Sequence, residues 1–225
     1  ESGWSKKVTD LTNFFVNEKV VISLNRHNAV GNNIDFSVQD LYKKNYLRLN
    51  IIKDLFFKIK NYLTKNNKKI KKTFPIMYTS VSAYGGTILP FSAILEIDPP
   101  KDIFNYYFDD FEYMSRVEKS GYIFYIVKKP TITDVDSSFS NNTNSTKSFF
   151  DLNSNVNKIY YYSRNRVLLR RIVKTQNIIS LFLNSFIWVI GQIIYGFFLS
   201  KNKKYWLKIS NILFKGFKDA FCVKI

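Results

Sequence analysis

Behind Ser2, a good N-cap, the apolar residues Trp4, Val8, Leu11 and Phe15 recur at helical spacing and predict a helix over the opening SGWSKKVTDLTNFF. Val20 to Leu24, Phe74 to Val81 and Tyr122 to Val127 are short apolar runs of strand length. Between the first two, Leu47 to Leu63 carries Ile52, Leu55, Phe56, Ile59, Tyr62 and Leu63 at the period of a helix, with lysines between them. That face suits core packing and membrane contact equally. His27 to Asp40 reads as loop, Asn66 to Lys72 as a basic linker, and Tyr84-Gly85-Gly86-Thr87 as a tight turn. Ile88 to Ile97 is an apolar strand and helix, ended by the Pro99-Pro100 break.

The C-terminal third changes pattern. KIYYYSRNRVLLRRIVK reads as a basic helix with aromatics at its start, and no residue between Lys174 and Lys201 is charged. Ile178 to Leu199 is long enough to cross a bilayer, with Ser180, Asn184, Trp188, Gly191 and Tyr195 along one narrow stripe. A buried pair of helices accounts for the same run, and the pattern leaves both readings open. From Tyr205 to Ala220, Trp206, Ile209, Leu213 and Phe217 form an apolar face opposite Lys208, Lys215 and Lys218. Residues 136–157, rich in Asn, Ser and Thr, read as a flexible loop between residues 1–135 and the helical region 158–225.

Composition narrows the class. With 46% hydrophobic residues, 21 Phe and 15 Tyr, the 225-residue chain is not a disordered one. Cys222 is the one cysteine and His27 the one histidine, which excludes a disulfide within the chain and a zinc cluster. Glu1 follows no Met or apolar leader, and the chain reads as a piece of something longer without a signal peptide. The net charge of +17 calls for an anionic partner. Its distribution points to a membrane rather than nucleic acid: Glu96 to Asp136 holds nine acids against five bases, while Lys158 to the end holds thirteen bases and one acid.

The acidic region centres on FNYYFDDFEYMSRVEKSG, from Phe104 to Gly121. Asp109 and Asp110 fall at the start of a helix that runs through Glu112 and Arg116 and stops at Gly121. They follow Tyr106, Tyr107 and Phe108, where desolvation and mutual repulsion can raise a carboxyl toward the range of a general base. By spacing alone the same residues fit a capped surface helix with ordinary solvated acids better.

The run from Tyr78 to Ser138 resembles the acceptor half of a family 2 glycosyltransferase, of the branch with rhamnosyl- and galactofuranosyltransferases. The matching features are Gly85 and Gly86 before an apolar segment, the aromatic-Asp-Asp-x-Glu pattern from Phe108 to Glu112, Arg116, Gly121, and the strand Tyr122 to Val127. The resemblance implies an α/β fold: the acceptor-side half of a GT-A-like nucleotide-sugar domain, followed by an all-helical, membrane-associated tail. It implies inverting, metal-dependent transfer of a sugar from a UDP- or dTDP-sugar to a hydroxyl of a lipid-linked or growing glycan, at the cytoplasmic face of the membrane, peripheral or partly embedded. Asp110 would be the general base. Asp109, Glu112, Gly85, Gly86 and Phe108 would bind the acceptor, and Asp134 would hold Mg²⁺ or Mn²⁺ where the family has a histidine. Arg164 and Asn165 match a family helix in type only. The resemblance places the donor-binding half before residue 1, so this chain alone is expected to be inactive. A non-catalytic basic membrane- or nucleic-acid-binding protein is the alternative.

Overall fold

The structure, a computed structural model, describes residues 3–14, 19–27, 76–79, 84–133, 149–150, 154–173, 177–200 and 202–225. The expected helix over Leu47 to Leu63, the linker after it and most of the expected flexible loop 136–157 lie outside these; of that loop, Phe149 and Phe150 are described and are buried in a hydrophobic core rather than loose. The described chain is a mixed α/β protein, mostly helical, with one small mixed sheet and one long apolar helix near its C-terminus. It divides into two compact units. Glu1–Tyr46, Lys69–Pro100 and Asp110–Ser137 form one; Leu47–Lys68, Lys101–Asp109 and Ser138–Ile225 form the other.

In the first unit, helix α1 (Trp4–Phe14) precedes strand β1 (Val20–His27), which runs three residues beyond the predicted apolar stretch and takes His27 out of the expected loop. β2 is Ile76–Thr79 and β3 is Thr87–Ile88; after helix α2 (Phe91–Glu96) and helix α3 (Asp109–Lys119) comes β4, Ile123–Thr133. The sheet order is β2-β4-β1-β3. β1 and β4 are parallel, and the two outer pairings are antiparallel.

Alternation along the strands gives the sheet two apolar faces. Val21 and Phe124 pack with Tyr113, Met114 and Val117 of α3 and with Ala93 and Ile97, whereas Val20, Ile22, Leu24 and Val127 pack on the opposite side with Ile88 and Ile132. Tyr113, Met114 and Val117 recur at the spacing of one helical face, and each such burial contributes about 1.5–3 kcal/mol. Gly121, at φ +90°, ends α3 as its sequence position predicts.

The second unit is built on helices α4 (Val156–Val173), α5 (Ile178–Leu199) and α6 (Lys203–Cys222). An asparagine starts each: the Asn155, Asn177 and Asn202 side chains accept from Asn157 N, Ile179 N and Tyr205 N at 3.0, 2.9 and 3.1 Å. α6 buries Ile209, Leu213, Phe217 and Ala220 against Ile159 and Val167 of α4 and Val189 of α5. Close approach needs Gly216, where a Cβ would sit 2.7 Å from the Tyr160 carbonyl oxygen.

α5 settles part of what its pattern left open. It buries Leu181, Asn184, Ser185, Val189 and Gly196, a stripe turned by about one residue from the expected one, with Gly191 and Tyr195 exposed instead. Only 22% of its most apolar window is buried, and Phe182, Phe186, Ile194 and Phe198 face outward. Among the described residues it is the helix long and apolar enough to cross a membrane, with a mean hydropathy of 1.8.

Candidate functional site

α3 begins at Asp109, so Asp109 and Asp110 both lie inside its first turn rather than at the N-cap. Both are partly exposed. Asp110 Oδ1 accepts from Phe111 N at 2.8 Å. Carboxylates there also face the positive end of the helix dipole, worth about 0.3–1 kcal/mol each.

What precedes the acids is a strained turn. Tyr106 and Phe108 adopt left-handed backbone angles, φ +68° and +72°, which bulky residues hold only when their surroundings impose it. The segment Lys101–Asp109 belongs with the helical unit, and α4 supplies the restraint. Asn165, fully buried, donates from Nδ2 to the carbonyls of Asn105 at 2.8 Å and Tyr107 at 3.0 Å. Arg164 Nη1 donates to the Ile103 carbonyl at 3.1 Å. Three carbonyls at alternate positions are therefore held by one Arg-Asn pair.

Phe108 is buried, its ring 5.3 Å from that of Tyr162, and Tyr107 meets the same ring edge-on at 5.7 Å. These two rings anchor the turn in the helical core. Burial pushes the Tyr107 hydroxyl up to about 12, so it stays protonated at neutral pH. Tyr106, which precedes them, is 58% exposed.

Asn165→Ala removes both donors and destabilises the protein by about 1–3 kcal/mol, since a net hydrogen bond contributes roughly 0.5–1.5 kcal/mol. Asn165→Asp is worse, because it sets a buried carboxylate against two carbonyl oxygens. Thermal melts, with limited proteolysis between Lys101 and Asp109, check this; unchanged melting and cleavage would show that Asn165 does not hold the turn.

Within the first unit, the Tyr84 ring lies 6.2 Å from that of Tyr113, which follows Asp110 by three positions and shares its side of α3. The Gly85-Gly86 turn is thus brought beside the helix that carries Asp110. Thr87 N closes the turn on Tyr84 O at 3.0 Å, and the carbonyl of Gly86, at φ +74°, accepts from Leu24 N at 2.8 Å. The positive φ of Gly86 is one that a side chain rarely adopts, and a Cβ there would run into the Ile132 side chain, while Gly85 is exposed.

Glu112 points inward and is fully buried. Its Oε1 and Oε2 accept from Arg116 Nε at 2.8 Å and Nη2 at 3.1 Å. Arg116 also donates to the carbonyls of Asp98 at 2.6 Å and Pro99 at 2.9 Å, tying α3 to the proline break. The pair fixes the helix that presents the acids.

Asp134 lies outside the described residues, as does Asp136, which completes an Asp-x-Asp triplet with it. His27 closes β1 opposite Thr133, the residue before Asp134. Among the described residues no three His, Cys, Asp or Glu side chains gather as a metal group. Sequence reasoning missed the clamp at Asn165; its signal was an amide in a helix turn otherwise destined for the core. Comparison with family models, with curated proteins and with solved structures found no match.

Proposed function

We propose that this chain is the acceptor-side part of an inverting, family 2 type glycosyltransferase. The observation that carries the reading is the acidic helix head: Asp109 and Asp110 follow a turn whose carbonyls are clamped by a buried amide, on a helix locked by Glu112 and Arg116.

In this reading Asp110 takes the proton of an acceptor hydroxyl. The hydroxyl oxygen attacks the anomeric carbon of a UDP- or dTDP-sugar from the face opposite the leaving group, and the C–O bond to the nucleoside diphosphate breaks with its electron pair. Asp109 orients the acceptor. A divalent ion would neutralise the departing diphosphate. The described residues hold no group of three His, Cys, Asp or Glu side chains for it.

The test is transfer from labelled UDP- and dTDP-sugars to lipid-extracted or oligosaccharide acceptors, with Mn²⁺ or Mg²⁺ and with chelator. Transfer from none of the donors by a preparation containing an intact donor site removes the enzyme reading and leaves the basic binding protein.

The helical unit would attach to an anionic leaflet. Exposed Phe182, Phe186 and Phe198 on α5, with Lys203, Lys204 and Lys208 following on α6, combine apolar insertion with charge attraction of about 1 kcal/mol per well-placed lysine. Flotation with anionic liposomes is expected at low salt and, in reduced amount, at high salt, since salt screens only the second contribution. Failure to float at low salt excludes the attachment.

A further inference from the structure

We propose that the helical unit carries a binding groove for neutral glycan, distinct from the acid pair, in which sugar rings stack on Tyr106 and Tyr161. The inference rests on the glycosyltransferase reading for the identity of the glycan, as the chain being extended. The groove itself stands on geometry. A cavity of about 770 Å³ lies between the Lys101–Asp109 segment, α4 and α6, lined by Asn105, Tyr106, Asn157, Tyr160, Tyr161 and Lys215. A smaller hollow of about 400 Å³, bordered by Arg164 and Asp219, adjoins it through Asn105, Tyr160 and Tyr161.

Three tyrosine rings run in series along the groove: Tyr106 and Tyr161 have centroids 5.3 Å apart, Tyr161 and Tyr160 5.1 Å. Tyr106 is the informative member. Its backbone is forced into the left-handed region, both flanking carbonyls are fixed by buried Asn165, and its ring is nonetheless mostly exposed. The turn that buries the Phe108 ring leaves the Tyr106 ring displayed on a fixed backbone, and a ring held in that way is a contact surface.

The chemistry of the lining selects the ligand. A sugar ring has an apolar face of C–H groups and a rim of hydroxyls; aromatic rings match the first, and amides and phenols, which both donate and accept, match the second. Asn105 and Asn157 supply the amides. Tyr160 donates its hydroxyl to Asp219 Oδ2 at 2.8 Å and keeps its lone pairs for a ligand donor. Burial, and then the contact with Asp219, raise that hydroxyl above its ordinary value and hold it protonated. A single-stranded nucleic acid would stack as well, but needs cations along its phosphates. The groove offers Lys215, and Arg164 in the adjoining hollow is already engaged by the Ile103 carbonyl.

The experiment is calorimetric titration of the full chain with short galactan, rhamnan, mannan and glucan fragments, repeated with Tyr106→Gly and Tyr161→Ala and with a single-stranded oligonucleotide as competitor. At least one fragment is expected to bind saturably, about tenfold more weakly to either variant. Tyr106→Gly is the decisive one, because glycine accepts the left-handed backbone and the melting temperature is expected to hold or rise while binding falls. No binding by any fragment, or binding indifferent to both variants, overturns the groove even if sugar transfer is observed. Displacement by the oligonucleotide overturns the glycan assignment. Fragment binding with the expected loss, in a protein that transfers no sugar, supports the groove and removes only the enzyme reading.

Discussion

Asp110→Asn lowers kcat by roughly 10²- to 10⁴-fold in an active transferase preparation containing this chain, and leaves donor affinity nearly unchanged. Asparagine keeps the shape of the side chain, and its carbonyl oxygen can still accept from Phe111 N, so the fold of the first turn survives. In the proposed reading, what disappears is the carboxylate lone pair that would take the acceptor proton as the new glycosidic bond forms. Asp109→Asn chiefly raises the acceptor KM, because a residue that orients a hydroxyl contributes to ground state and transition state alike. Rates measured at saturating donor with varied acceptor separate the two effects. Near-normal kcat for Asp110→Asn places the base elsewhere. If both substitutions leave the kinetics alone and lower stability by about 0.3–1 kcal/mol, the acids serve only the helix dipole.

Arg116→Met destabilises the protein by about 3–5 kcal/mol. Glu112 has no exposed surface, and Arg116 is the cation that meets both its oxygens. Removing Arg116 leaves a buried charge without its partner and strips the Asp98 and Pro99 carbonyls of their donors. The double variant Glu112→Leu with Arg116→Met recovers much of that loss, since two apolar side chains there leave no charge to desolvate. A double-mutant cycle by chemical denaturation reads the coupling directly. Additive losses from the two single variants would show that the pair is not the lock on α3 that its geometry describes.

The local pattern carried a good deal of this protein. The 3.6-residue recurrence of Ile209, Leu213 and Phe217 placed the buried face of α6, because a helix with one apolar stripe has one way to turn it. Gly121 marked the end of α3, and unbroken apolar runs marked the cores of β1 and β4, strands covered on both faces. The uncharged stretch from Ile178 to Leu199 had the length to cross a bilayer, and the structure makes it one helix.

Tertiary structure decided the rest, for reasons of distance along the chain. The aromatic run before the acids shows no local sign of which ring is exposed; Tyr107 and Phe108 are drawn into the helical core by Tyr162, and Tyr106 is left outside. Glu112 read as a ligand because nothing local distinguishes an acid aimed at solvent from one aimed inward, where a buried carboxylate is tolerated through its contact with Arg116. The seam of α5 missed by about a residue because Ser, Asn and Gly mark a packing stripe only loosely, and the neighbouring α6 chose the rotation. Asn165 carries the same lesson furthest: its amide meets carbonyls some sixty positions earlier, and only folding brings that donor to those acceptors.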